Sequence, residues 1–257
     1  MPLGFNVIRK GGVNIPTLLA TVPAFSSWPL WAREGLARNA FVRQYPRSAN
    51  VIAFGAQPRE LLVILEGALV VSEHCRDSSR EIRCLPHPGE IMGLICVLQG
   101  MPFAFDLSAH ESSRLLHIPQ ENLWEVLTQE PRLIASLLEQ ILQRMKMAMP
   151  RNSGDSPSQC LARVLWRLAR TYGKPTDKGI RIGIRLSQDD LSMFLSCSRQ
   201  TINKEVRRLV EQGVIAKSYN TITVIDMEWL ARQQENPLWQ PSLSARTPLM
   251  EALKLEP

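Results

Sequence analysis

Side chains that can read DNA bases are concentrated in one run of the sequence, SCSRQTINKEVRRLVEQGVI, at residues 196–215. Arginine can bond to guanine through two donors, glutamine or asparagine can pair with adenine, and lysine or arginine can bind phosphate. The run therefore favours contact with DNA over the simpler alternative, a polar helix face that is only solvated. The side chains that we expect to contact DNA are Ser198, Arg199, Gln200, Thr201, Asn203, Lys204 and Arg207.

Two capped helices joined by a tight turn would position these side chains. Ser187 is suited to cap a first helix, whose first turn carries two aspartates, and Ser198 is suited to cap the second. In the second helix Ile202, Val206, Leu209 and Val210 fall at positions i, i+4, i+7 and i+8, so we expect this face to be buried and the polar face to point outward. The three residues before Ser198 form the turn. The pattern predicts a helix-turn-helix.

A β-rich segment follows the second helix. Residues 216–226 contain a turn at Tyr219 and Asn220 followed by the run TITVI, which predicts a small hairpin, or wing. Lys217 and Tyr219 lie near its tip, where they would contact phosphate, although Lys217 could equally be solvated.

The composition is that of a globular protein whose positive charge lies in its C-terminal half. Of 257 residues, 45% are hydrophobic and 21% charged, with a net charge of +6. Residues 158–235 hold 13 lysines and arginines against 8 acidic residues, which fits a polyanionic partner. The five cysteines and four histidines show neither a zinc-binding spacing nor a catalytic triad, so we expect no metal and no enzyme. The longest aliphatic run, residues 61–65, is too short to span a membrane, and we expect a cytoplasmic protein.

Short apolar stretches indicate a compact β-domain in the first half of the chain. The run LLVILEGALVV (61–71) has the content of two paired strands with Gly67 between them. Four further stretches, separated by proline and glycine, lie at residues 82–85, 91–97, 103–107 and 115–118. This spacing predicts an antiparallel barrel or sandwich. Residues 1–16 predict a loose arm, and residues 17–41 predict short helices broken by prolines.

The pattern becomes helical from residue 120. Between residues 131 and 150, apolar side chains recur at steps of four, three and four, as in the seam of a paired helix. The stripe could instead pack on the β-domain of its own chain, and neighbouring leucines widen it enough to contact both. The candidate dimer interface is Ile134, Leu138, Ile141 and Met145.

These patterns resemble the Crp/Fnr family, that of the cyclic-AMP receptor protein and the fumarate–nitrate regulator. Residues 196–215 are similar to its recognition helix, and FGAQPRELLVILEGALVV (54–71) is similar to its β-roll hairpin. The resemblance covers about residues 17–230 and implies an α+β fold with a cyclic-nucleotide-binding-type, jelly-roll-like β-roll. The domains that it implies are a β-roll at 17–130, a dimerisation helix at 131–150, a linker at 151–157, a winged helix-turn-helix at 158–232 and a tail at 233–257.

The resemblance also assigns roles within the recognition helix. Arg199 falls where the family has its guanine-reading arginine, and Ser198 and Thr201 fall where the family contacts phosphate. Gln200 stands where many members have glutamate. Because a carboxylate accepts from cytosine whereas an amide prefers adenine, we expect an operator that differs from that of the cyclic-AMP receptor.

The effector site departs from the family pattern. Members that bind cyclic nucleotides hold the ribose with glutamate and the phosphate with arginine followed by serine or threonine, but here Leu94, Phe103 and Ala104 occupy those positions. An apolar site offers no countercharge for a buried phosphate, so we expect no binding of cyclic AMP through the usual contacts. No cysteine precedes Cys75, so an iron–sulfur cluster of the oxygen-sensing type would lack its ligands. The haem-binding members of the family carry ligands near the positions held here by Gly93 and Ile95, neither of which can ligate iron, so we expect no haem either.

Two roles are possible for a group of apolar residues near that site. They would either line a pocket for a hydrophobic effector or fill the core of the β-roll. The candidate pocket residues are Met92, Leu94, Phe103 and Phe105.

Together these patterns predict a sequence-specific transcriptional regulator that binds double-stranded DNA as a homodimer on a pseudo-palindromic operator. RNA polymerase would be a further partner if the protein activates transcription. The alternative is a ligand-binding or protein-interaction module whose C-terminal domain docks a protein rather than DNA.

Overall fold

The structure, a computed structural model, describes residues 7–8, 14–74, 80–147 and 156–233. These residues form two units. The first contains residues 7–8, 14–73 and 84–147, and the second contains residue 74, residues 80–83 and residues 156–233. Most of the predicted linker (151–157) and nearly all of the predicted tail (233–257) lie outside the described residues.

Two antiparallel sheets form the β-roll. The first has the strand order β1-β2-β9-β4-β7 and the second the order β3-β8-β5-β6. The strands are β1 (Val7–Ile8), β2 (Phe41–Tyr45), β3 (Asn50–Ile52), β4 (Glu60–Glu66), β5 (Leu69–His74), β6 (Arg80–Cys84), β7 (Ile91–Met92), β8 (Asp106–Ala109) and β9 (Ser113–Pro119). The predicted loose arm at residues 1–16 is thus partly wrong, because β1 pairs with β2.

Gly67 takes the chain from one sheet to the other. The strands on either side of it, β4 and β5, do not pair with each other as the sequence suggested, since β4 pairs with β9 and β5 with β8. Gly67 has a φ of +87°, and a Cβ there would lie 2.3 Å from Ser113 Oγ. Only glycine fits this crossing without strain.

Six helices surround the sheets within the described part of the first unit. They are α1 (Ile15–Ala20), α2 (Leu30–Ala37), α3 (Leu94–Gln99), α4 (Gln120–Gln129), a 3-10 turn (Pro131–Leu133) and α5 (Ile134–Met147). The stretch at 91–97, predicted as a strand, is strand only at β7 and then becomes α3. Gly93, with a φ of +82°, redirects the chain between them, and a six-residue apolar run has no periodicity that separates a buried strand from a buried helix.

Both faces of β4 are buried, which explains its uninterrupted apolar sequence. Leu61 and Val63 belong to a core cluster shared with α1, α2, α4 and α5, whereas Leu62 and Ile64 point into a second cluster between the sheets. Successive side chains of a strand point to opposite faces, so a strand covered on both sides loses its polar alternation.

The second unit has a helical core and a small sheet of order β10-β11-β13-β12. Its elements are α6 (Pro157–Tyr172), β10 (Gly173–Thr176), β11 (Gly179–Ile182), α7 (Gln188–Leu195), α8 (Arg199–Glu211), β12 (Ile215–Ser218), β13 (Thr221–Val224) and α9 (Met227–Arg232). The predicted helices and wing are present, and the hairpin β10–β11 was not foreseen. The predicted α+β architecture, with an N-terminal β-roll and a C-terminal winged helix-turn-helix, is confirmed.

Candidate nucleic-acid interface

Serine caps fix the start of both helices of the helix-turn-helix. Ser187 Oγ accepts from the backbone N–H of Asp190 at 3.0 Å, and Asp190 Oδ2 accepts from the N–H of Ser187 at 2.8 Å, which completes a capping box at α7. Ser198 Oγ accepts from the N–H of Thr201 at 3.1 Å and caps α8. Both caps agree with the sequence-based expectation.

One left-handed residue forms the turn between α7 and α8, and a separate hydrogen bond ties the start of α7 to the wing. Ser196 takes a left-handed conformation with φ 44°, which ends α7 and turns the chain toward α8. At the other end of α7, the N–H of Leu186 donates to the carbonyl of Asn220 at 2.9 Å. The turn of the wing is therefore tied to the residue that precedes the cap of α7.

Helix α8 has one buried and one exposed face. Ile202, Val206 and Leu209 are buried, as their spacing predicted. The prediction was wrong for Val210, which lies at the margin of that stripe and is 41% exposed. Of the predicted DNA-contacting side chains, five are exposed and two, Thr201 and Asn203, are partly buried. The exposed ones are Ser198, Arg199, Gln200, Lys204 and Arg207.

Arg199 forms an ion pair with a residue of the neighbouring helix. Its Nε contacts Oδ1 of Asp189, and the two side chains are 70% and 50% exposed. From the sequence alone, Asp189 is expected only to interact with the helix dipole at the start of α7. The loop between the helices brings the two residues together, and no helical spacing reveals a contact across that loop.

An open cleft lies beside α8. It has a volume of about 350 Å³ and separates the first turn of α7 from the recognition helix and β12. Its walls bring Lys217 of the wing to the same side as Asn203 and Arg207 of α8. The lining residues are Gln188, Asn203, Val206, Arg207, Val210, Glu211 and Lys217. The cleft thus joins the wing and the recognition helix into one largely basic and amide-bearing surface, with Glu211 as its acidic group.

Helix α5 is anchored on the β-roll by one of its faces. Ser136 Oγ accepts from Trp28 Nε1 at 2.7 Å and donates to the carbonyl of Ala24 at 2.8 Å. Leu137 is fully buried beside it, and Ile141 packs partly against the same core. Ile141 of the predicted dimer seam therefore belongs in part to the core of its own chain.

The flank of α5 beside this anchored face carries an apolar stripe exposed to solvent. Ile134, Leu138 and Leu142 recur at intervals of four residues and are 37%, 49% and 57% exposed. Two of them belong to the predicted seam, and Leu142 is the residue that the seam omitted. The side chain of Met145, its fourth predicted member, lies outside the described residues.

The candidate effector-pocket residues are packed into the β-roll. Met92 and Phe103 are buried between the sheets, with Phe105 partly buried against the same cluster. Leu94 belongs to the other core cluster, on the helical side. The four residues therefore do not converge on one site, and their burial fits the core-filling alternative.

A polar cluster that the sequence did not reveal lies within the β-roll. His117 Nδ1 is 2.6 Å from Glu60 Oε2, and its Nε2 is 3.1 Å from the hydroxyl of Tyr45. The ring of Phe41 stacks on that of His117. The hydrogen bond with His117 lowers the pKa of Glu60, and burial raises the pKa of Tyr45. His117 stands at an inward position of β9, opposite Phe41 and Leu62, which sequence alone could show only if the strand register were known.

Two family models match the chain. Residues 42–130 match the cyclic nucleotide-binding domain, and residues 159–233 match the Crp-like helix-turn-helix domain. Together they cover well over half of the sequence, in the order that the family requires. The chain belongs to the Crp/Fnr family.

Individual relatives agree with this assignment. The chain is 21% identical over 193 residues to the CRP-like cAMP-activated global transcriptional regulator of Mycobacterium tuberculosis, covering 74% of this chain and 86% of that one. It is 23% identical over 198 residues to the global nitrogen regulator of Synechococcus elongatus, covering 75% and 89%. Among solved structures, FixK2 from Bradyrhizobium japonicum shares the fold with a TM-score of 0.68 at 14% identity, covering 77% of this chain and 98% of that one.

The shared domains define the broad role of this Crp/Fnr protein. A Crp-like helix-turn-helix joined to a cyclic-nucleotide-binding-type β-roll makes it a DNA-binding transcription regulator. Within the described residues, no helix is long and apolar enough to cross a membrane.

Proposed function

We propose that this Crp/Fnr protein is a sequence-specific regulator that binds a pseudo-palindromic operator as a homodimer, without control by cyclic AMP. The exposed polar face of α8 carries the proposal, because the residue types on it are those that read bases in the major groove. Its cytoplasmic location and its contact with RNA polymerase stay predictions. The same holds for the domain bounds, which we place at 17–130, 131–150, 151–157, 158–232 and 233–257.

The exposed stripe on α5 supports dimerisation. Ile134, Leu138 and Leu142 form a continuous apolar line on the exposed flank of the helix, next to the face that packs on the core of the same chain. A helix that buries one apolar face internally and exposes another is suited to pair with a copy of itself. Two recognition helices on such a dimer would reach successive major grooves about 34 Å apart.

The apolar character of the effector position argues against cyclic AMP. Leu94 is 5% exposed and Phe103 is 8% exposed, and both belong to hydrophobic clusters. A phosphate placed there would lose its hydration without gaining a cation or a hydrogen-bond donor from these side chains. The residues present do not fit a cyclic nucleotide, and the same apolar residues offer no ligand to haem or to an iron–sulfur cluster.

Binding of duplex DNA at increasing salt concentration tests the proposed function. Lysine and arginine side chains of α8 and the wing would displace counterions from phosphates, so we expect the logarithm of the association constant to fall linearly with the logarithm of salt concentration. Binding of cyclic AMP, measured in parallel by calorimetry, should give no saturable heat. Absence of DNA binding at low salt would contradict the proposal and favour a domain that docks a protein.

A further inference from the structure

We propose that Asp189 is a positioning residue for base recognition, which orients the guanidinium of Arg199 for contact with guanine. The inference rests on the proposed function, since it concerns how the recognition helix reads its operator. It concerns one ion pair, formed between the first turn of α7 and the first residue of α8.

The atoms in contact make this orientation useful. Asp189 Oδ1 contacts Nε of Arg199, the nitrogen that joins the guanidinium group to the rest of the side chain. Arginine presents five N–H donors in a rigid plane, and its two terminal nitrogens form a separate edge. That terminal edge is the one that bonds in parallel to guanine O6 and N7. A carboxylate at Nε therefore restrains the plane of the guanidinium without occupying the terminal edge that would bond to guanine.

Apart from its charge in the first turn of α7, Asp189 takes no part in the cap of that helix. The capping box of α7 is made by Asp190 with Ser187, so the cap does not require the carboxylate of Asp189. The ion pair itself is largely exposed, and exposed pairs contribute little to the free energy of unfolding. Its effect is expected in DNA recognition rather than in stability.

Positioning lowers the conformational entropy that Arg199 loses on binding. A long, exposed arginine samples many rotamers, and ordering it at an interface opposes association. A partner that already holds the side chain in one plane removes part of this loss for the correct base pair only. The benefit should therefore appear in discrimination between base pairs.

Overall affinity alone would be an ambiguous readout. A carboxylate near DNA repels phosphates, so removal of Asp189 also strengthens binding to any sequence. The informative quantity is the ratio of dissociation constants for an operator with the base pair read by Arg199 replaced and for the intact operator. Charge effects that act on all sequences cancel in this ratio.

The experiment compares Asp189→Ala, Asp189→Asn, Arg199→Ala and the double variant Asp189→Ala/Arg199→Ala with the full-length protein by fluorescence anisotropy. Loss of one ordered side chain predicts a fall of about 2- to 10-fold in the ratio for Asp189→Ala. The ratio should fall less for Asp189→Asn, because the amide oxygen of asparagine can still accept a hydrogen bond from Nε of Arg199. In the Arg199→Ala background, removal of Asp189 should cause no further loss of discrimination.

A matched control removes the same charge elsewhere. Glu228 is exposed in the first turn of α9, so Glu228→Ala deletes an acidic residue from the same type of position in the same unit. This variant should leave the ratio unchanged, and urea unfolding should show that all variants fold.

The outcomes separate this inference from the proposed function. An unchanged or increased ratio in Asp189→Ala would overturn the inference, and so would an equal loss in the Arg199→Ala background. In both cases the wild-type protein would still bind its operator, and the proposed function would stand. Failure of the wild-type protein to bind any DNA would end both.

Discussion

Ser198 Oγ accepts a hydrogen bond from the backbone N–H of Thr201 at 3.1 Å and so closes the first turn of the recognition helix. Loss of an N-cap leaves a helix N–H without a partner and costs about 0.5–2 kcal/mol. We therefore predict that Ser198→Ala lowers the free energy of unfolding of the second unit by about 1 kcal/mol in urea titrations. Ser198→Asp, which keeps a capping oxygen, should unfold close to the wild type. Equal loss in both variants would show that the cap is not the cause.

The exposed stripe on α5 predicts the effect of a charge at its centre. Leu138→Arg places a guanidinium where a partner helix would bury an apolar side chain, and burial of an unpaired charge is costly. We expect this variant to sediment as a monomer in analytical ultracentrifugation, whereas the wild type sediments as a dimer. Glu139→Arg adds an arginine at the adjacent exposed position, outside the stripe, and should remain dimeric. A dimeric Leu138→Arg would place the interface elsewhere.

The crossing between the sheets predicts the outcome of two glycine substitutions. Gly67→Ala introduces a methyl group that would lie 2.3 Å from Ser113 Oγ and 2.5 Å from the carbonyl oxygen of Ser112. Gly55 also has a positive φ, +77°, but nothing lies within 4 Å of the corresponding Cβ. A positive φ alone costs an alanine on the order of 1–3 kcal/mol.

We expect Gly67→Ala to lower the free energy of unfolding clearly more than Gly55→Ala. Both alanines would be strained by a positive φ, but only the methyl group at position 67 would also clash with neighbouring atoms. Thermal or urea unfolding of the two variants measures the difference. Equal destabilisation would mean that the chain moves to accommodate the methyl group at Gly67.

The partly buried contact between Glu60 and His117 predicts a pH dependence of stability. The hydrogen bond from His117 lowers the pKa of Glu60 below its ordinary value of 4.5. The folded state then binds fewer protons at this site than the unfolded state does. Stability from this carboxylate is present above about pH 4.5 and is lost as the pH falls through its folded pKa.

Urea unfolding between about pH 6 and pH 3 should show a shallower loss of stability in Glu60→Gln than in the wild type. Glu121→Gln, which changes an exposed carboxylate in the first turn of α4, serves as the control. If Glu60→Gln and the wild type lose stability in parallel, the contact does not shift the titration of Glu60.

The sequence was sufficient for features that depend on local spacing and was insufficient for those that depend on register. The caps at Ser187 and Ser198 and the buried face of α8 follow from residues a few positions apart, and the structure confirms them. The pairing of β4 with β9 and the cluster around His117 join residues 48 or more positions apart. Nothing in a single sequence fixes such a register.

Residues that meet across a loop were also beyond local spacing. Asp189 and Arg199 belong to two different helices, and their contact depends on the left-handed turn at Ser196. The apolar run that contains Leu94 was ambiguous for another reason, because both a buried strand and a short buried helix tolerate it. Here tertiary packing decides the local structure.

The most direct test of the account is selection of bound sequences from a random pool of duplex DNA by the purified full-length protein. A dimer with a recognition helix in each half-site predicts an enriched inverted repeat whose half-sites lie about 10 base pairs apart, centre to centre. Repeating the selection with Arg199→Ala should relax one base pair in each half-site, at a cost of about 1–3 kcal/mol for the wild-type operator. Enrichment of no common sequence, or an unchanged preference in Arg199→Ala, would contradict the account.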